Sequence, residues 1–166
     1  WIQSLDTGVS VGYLDSNGRV VLGTSSTNPC AIVYEIGESG LTEIARSTQE
    51  LTNEGSACLQ IIEDKNSGDY IFIKRYGQVV RLDKDLNVKW ETKVSENYEV
   101  YSCDIDYENS ILIVGGEDGY IYKLDLETGT LLETNSLSSG DNINFIDYLE
   151  ADGGYVISEI RGMDNL

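Results

Sequence analysis

The feature that most constrains this chain is a repeat. Set beneath one another, QVVRLDKDLNVKWET from Gln78 and YIYKLDLETGTLLET from Tyr120 agree at an offset of 42 residues, with Val79 over Ile121, Arg81 over Lys123, and Leu82 and Asp83 over Leu124 and Asp125. An earlier copy, IVYEIGESGLTEIAR from Ile32, enters the same frame with Ile36 at the Leu82 position. Two other markers keep the period. A large apolar residue returns at Trp1, Ile44, Trp90 and Leu132, in steps of 43, 46 and 42, and a turn glycine at Gly77, Gly119 and Gly162, in steps of 42 and 43. A short unit recurring at such spacing cannot bury its apolar face alone, so its copies must stack into one core.

Each unit holds four short strands, A to D. Period-two alternation sets Tyr120, Tyr122 and Leu124 on one face and Ile121, Lys123 and Asp125 on the other, and the first set recurs as Gln78, Val80 and Leu82. One face is expected to be buried and the other at least partly wet. Ahead of each C–D hairpin stands an A–B pair: VGYLDSNGRVVLGT, LQIIEDKNSGDYIFIKR, CDIDYENSILIVGG and FIDYLEADGGYVISEI. In each, an apolar segment runs into Asp, Asn and Gly and out into a β-branched, aromatic strand, the pattern of a hairpin. Four strands in 42–46 residues are the dimensions of a β-propeller blade. The expected fold is all-β, a β-propeller of about four blades of four antiparallel strands spanning residues 1–166 as a single domain or propeller segment.

The stretches GGEDGYIYKLDLETGTLLET and YGQVVRLDKDLNVKWET resemble the repeats of the quinoprotein-like (PQQ-like) and WD40-like β-propellers, whose blades carry a Gly, a strand, an LD pair, a TG turn and a Trp. The copy from Ile32 departs from the pattern in lacking the Asp and the Trp, and Leu132 stands where the third copy should have Trp. The resemblance implies either a scaffold for protein contacts or an oxidoreductase with a quinone, a calcium ion, a catalytic Asp and often a vicinal disulfide. This chain has no adjacent Cys pair, and none of its residues maps onto a cofactor motif. The resemblance also leans towards an extracytoplasmic location.

The ends bear on the blade count. Residues 1–5 read as a D strand with no A to C before it, and YVISEIRGMDNL supplies a B strand, a turn and only the start of C. Pairing these ends would close a four-blade ring and remove an exposed edge. The alternatives are a segment of a larger propeller and two copies assembled through their terminal strands. WIQSLDTG carries neither a basic leader nor an apolar core of the export type.

Composition narrows the partners. Net charge is −18, with 29 acidic and 11 basic residues, so phosphate backbones and anionic membrane surfaces are repelled. No nucleic acid and no membrane insertion is expected, and basic protein faces, cationic peptides or divalent cations are permitted. The absence of His removes imidazole ligands, His-based triads and the commonest general base. Cys30, Cys58 and Cys103 form no CxxC and are expected to be packed thiols.

Candidate residues lie in turns. Lys74, Arg75, Tyr76 and Arg161 stand out in the B–C turns KRYG and EIRG as partner contacts on an acidic molecule, because Arg and Tyr are favoured at binding hot spots. The competing role for the cations is to neutralise neighbouring carboxylates. Asp64, Asn66 and Asp69 in DKNSGD have some likeness to a calcium loop, but the downstream bidentate Glu is missing and the turn reading explains the cluster. Trp1 and Trp90 are expected to pack between blades. The expected function is a non-enzymatic scaffold displaying loops for protein or small-ligand binding, without a cofactor other than, at most, calcium. A fragment of a quinoprotein-like oxidoreductase and a structural domain of a secreted or surface assembly are the alternatives.

Overall fold

The computed structural model describes residues 8–52, 57–137, 140–149 and 153–160. The expected strands at residues 1–5 and 163–166, with Trp1, Arg161 and Gly162, lie outside the described residues. Among the described residues there is no helix. Their strands are β1 (Val9–Leu14), β2 (Val20–Thr24), β3 (Ala31–Gly37) and β4 (Gly40–Arg46); β5 (Cys58–Asp64), β6 (Asp69–Lys74), β7 (Gln78–Leu82) and β8 (Val88–Lys93); β9 (Val100–Asp106), β10 (Ile111–Gly116), β11 (Tyr120–Asp125) and β12 (Leu131–Ser136); and β13 (Asn142–Leu149) and β14 (Gly154–Ile160). They form sheets β1-β2-β3-β4, β5-β6-β7-β8, β9-β10-β11-β12 and β13-β14, each strand beside its neighbour in sequence. The first three are the A to D meanders that the repeat requires, and β13-β14 supplies an A–B pair.

The chain divides into two compact units, Trp1–Phe72 with Val80–Glu91, and Ile73–Val79 with Thr92–Leu166. In the first, Val21, Ala31 and Val33 pack in one cluster with Cys58, Tyr70, Phe72, Val80 and Leu82. In the second, Ile113 and Ile121 pack with Ile143 and Ile146. Cys30, Cys58 and Cys103 are buried and form no disulfide, as expected of small thiols used for packing.

Glycine sets the closeness of stacking at one repeated position. Gly23 on β2 faces Ala31 on β3, and Gly115 on β10 faces Ile121 on β11. A Cβ on Gly23 would lie 2.6 Å from the Cys58 Cβ of β5, and one on Gly115 would lie 2.8 Å from Ile146 Cδ1 of β13 and fall on Ile143. No side chain fits there, because the second strand of one sheet rests directly on the first strand of the next within each unit.

Three expectations need correction. Val20 pairs with Tyr34 as Leu112 pairs with Leu124, so Tyr34 rather than Ile36 occupies the Leu124 position. The first hairpin turns over only Glu38 and Ser39, with Gly37 opposite Gly40, and its strands therefore run further, leaving Ile36 56% exposed. Second, β7 has no wet face: Val79 and Arg81 are as buried as Val80 and Leu82. Third, of the apolar markers on the fourth strands Trp90 is buried, but Ile44 and Leu132 are exposed.

The glycine contacts generate a stability test. Gly115→Ala should cost about 1–3 kcal/mol, the usual range for overpacking, whereas Gly154→Ala, with nothing within 4 Å of its added methyl, should cost far less; urea unfolding of the two variants checks the difference.

Candidate functional site

The two ends of the sheets treat their polar groups differently. Where strand A meets strand B, a buried Asp closes the turn. Asp15 accepts the N–H groups of Asn17 (3.0 Å) and Arg19 (2.8 Å), the Arg19 Nε–H (2.7 Å) and the Tyr70 hydroxyl (2.8 Å). Burial pushes its carboxyl pKa up, but these donors outweigh it and hold the pKa below the usual range. Tyr70, buried and bonded to that carboxylate, is pushed well above an ordinary phenol.

The same device recurs at Asp106, which accepts from Asn109 N (3.0 Å), Asn109 Nδ2 (2.8 Å) and the Tyr155 hydroxyl (3.3 Å). Desolvation and the Asp106 charge raise the Tyr155 pKa to about 12. Tyr70 and Tyr155 are the second residues of β6 and β14. Each reaches the acid that closes the first strand of the preceding sheet.

The candidate calcium residues are used in the second copy of this turn. Asp64 accepts Asn66 N–H (3.0 Å), Ser67 Oγ–H (2.7 Å) and Arg81 Nη2–H (2.8 Å), while Asp69 accepts Arg81 Nε–H (2.9 Å) and Lys89 Nζ–H (2.9 Å). Arg81 is 0% exposed. Its guanidinium occupies the space between the two carboxylates, and Asn66 contributes its backbone N–H to the turn. The triplet is thus a buried ion-pair cluster rather than an open cation loop, and no group of three or more His, Cys, Asp or Glu among the described residues is arranged to hold a metal. Two acids flanking one turn were the signal that a buried counter-charge was needed.

The B–C turns are built otherwise. In KRYG, Tyr76 and Gly77 have successive positive φ angles of 59° and 70°, as a type I′ hairpin turn demands. Gly77 suits this, and its O accepts Val94 N–H at 2.8 Å while its missing side chain leaves room for the Ser95 backbone. Gly119 repeats the arrangement with Leu137 N–H at 3.0 Å. Tyr76 does not suit it. A bulky residue in the left-handed region costs about 1–2 kcal/mol, and Tyr76 has no burial to offset that, being 58% exposed.

Around the turn lies an acidic and aromatic surface, all within the second unit. Arg75 Nε meets Glu99 Oε1 at 3.0 Å. Glu117 N–H donates to Glu99 O at 2.8 Å, and Glu99 N–H approaches Glu117 Oε2 at 3.4 Å. Burial, then the Glu117 and Glu99 charges, raise the pKa of Tyr101, with Arg75 opposing. Asp118 accepts Tyr120 N–H (3.1 Å) and the Tyr122 hydroxyl. Tyr98 and Tyr120 are exposed beside these acids.

Of the residues marked as contacts from the sequence, Arg75 and Tyr76 are displayed together. Lys74 is not, since β6 runs through it and it is 1% exposed. Tyr98, Glu99, Glu117 and Tyr120 come from the stretches SENYEVY and GGEDGY, in which the sequence marked Glu117 and Asp118 only as an acidic turn and no residue as a partner contact.

The WD40 β-propeller domain of Doa1 superposes on 95% of this chain with a TM-score of 0.69 at 14% identity. The fold is a β-propeller. The chain spans about half the length of that solved domain, of which 49% is covered. No protein-family model and no curated protein matches this propeller.

The A–B networks yield a test of their own. Tyr70→Phe removes a hydrogen bond to a buried carboxylate, so it should cost about 1.5–3 kcal/mol at neutral pH. The Asp15 pKa is lowered in the folded state, so its stabilisation is present above the unfolded value near ~3.9 and is lost as pH falls through the folded one. The gap between wild type and variant should therefore narrow below about pH 4, as denaturation at a series of pH values would show.

Proposed function

We propose that this chain is a non-enzymatic protein-binding propeller whose contact surface is the B–C and D–A loop end around Arg75 and Tyr76. The observation that carries the reading is the conformation of Tyr76. An exposed aromatic side chain held in a left-handed turn at a cost to stability, where Asn or Gly would serve better, is selected for something other than folding. Tyr and Arg together are the side chains most enriched at interaction hot spots. The turn that carries them is braced by Val94 and seated on Gly77, so the pair is presented with little ordering left to be done on binding. Support also comes from the fold, in which loops vary on a rigid core.

Selection from a peptide library displayed on phage tests this. Enriched peptides should lose binding to the Tyr76→Asn variant by about tenfold or more, as expected for a hot-spot side chain, while the same variant gains about 1 kcal/mol of stability from relief of the turn. Peptides that bind the variant as well as the wild type, or no enrichment at all, would overturn the reading.

A further inference from the structure

We infer that the partner presents a basic segment, and that Arg75 occupies the partner's cation site in the unbound protein. This rests on the surface reading above and names its chemistry. Glu96, Glu99, Glu117 and Asp118 lie in the loops of this end, with Lys93 and Arg75 as the cations beside them. Lys93 is committed to Glu96 at 2.7 Å. Arg75 meets Glu99 through Nε at 3.0 Å and remains half exposed, its side chain at 48%. A guanidinium is therefore already accommodated against Glu99, and because the Arg75 side chain is half exposed, solvent weakens its ion pair.

The surroundings favour an incoming cation over the resident one. Glu117 donates its backbone N–H to the Glu99 carbonyl, and the Glu117 carboxylate lies 3.4 Å from the Glu99 N–H, so a second acid stands next to the residue that pairs with Arg75. Exposed Tyr76, Tyr98 and Tyr120 offer aromatic faces to an Arg or Lys side chain, a contact that gains strength as water is excluded. The net charge of −18 steers basic segments towards the surface and keeps anionic polymers away. A basic peptide that pairs with Glu99 and Glu117 while stacking on tyrosine displaces Arg75, whose flexible side chain swings into solvent. Arg75 then acts as a competitor, so that its loss should tighten binding where loss of an ordinary contact would weaken it.

Fluorescence anisotropy with a labelled oligo-arginine peptide decides the matter. Arg75→Ala should tighten binding by about two- to fivefold, the size of an exposed ion pair. Glu99→Gln combined with Glu117→Gln should weaken it about tenfold, with Glu99→Gln alone as the milder variant. Glu38→Gln combined with Glu127→Gln removes the same charge from exposed C–D turns and should change affinity by less than about twofold. If that control weakens binding as much as the site pair, the peptide is held by the diffuse field of an acidic chain and the inference falls. Weaker binding by Arg75→Ala overturns it also. Tyr76-dependent peptides from the phage selection that carry no excess of Arg or Lys would leave the surface reading standing and this inference refuted, so the two can fail separately.

Discussion

A buried carboxylate closing the first strand in three of the described sheets is the interaction on which those sheets depend. A four-stranded meander has too little apolar area to stand alone and must press against its neighbour. That pressing carries the A–B turn, with its exposed N–H groups, out of water. Asp15, Asp64 and Asp106 accept those N–H groups and retain a charge that must itself be answered. At Asp15 and Asp106 the answer includes a tyrosine hydroxyl from the following sheet. The device that closes a turn therefore also joins sheets within a unit, with a hydrogen bond that is worth most because its acceptor is ionised.

Asp64 shows what happens when that partner changes. A second acid, Asp69, opens β6, and Arg81 from the same sheet lies between the two. A fully buried guanidinium is costly to desolvate and becomes tolerable only because its N–H groups meet carboxylates in good geometry. Neutralising one acid leaves the arginine short of charge, so Asp64, Asp69 and Arg81 act as one unit whose members cannot be replaced singly without penalty.

Much of this was legible in the chain. The offset joining Leu82 to Leu124, and the glycines at 77 and 119, mark real equivalences, because a left-handed turn against a passing backbone admits only Gly. What escaped the reading has physical causes. A frame counted without gaps cannot register the tight Gly37–Gly40 turn, which slides the Tyr34 position two residues ahead of the expected Ile36. Alternation reports a charged residue as wet, yet Arg81 is buried because its counter-charges arrive from Asp64 and Asp69, 17 and 12 residues away. At the site, KRYG was conspicuous for its composition, but Lys74 belongs to a buried strand, and Glu99, which pairs with Arg75, comes from a separate D–A loop, 24 residues away in sequence.

The contrast between the two kinds of turn separates stability from function. In the A–B turns described above, polar groups are buried and mutually satisfied, and little remains to offer a partner. In the KRYG turn, a strained, exposed tyrosine and a half-exposed arginine stand at the surface, where the arginine's bond to Glu99 is weakened by solvent. Such groups contribute little to folding and could be exchanged for Asn, Gly or Ser at a gain in stability. In the proposed binding mode their energy would be realised when another molecule removes the water, since both ion pairing and cation–aromatic attraction strengthen as the local dielectric falls. A propeller can hold such a surface because its core and its A–B networks stabilise the sheets independently of it.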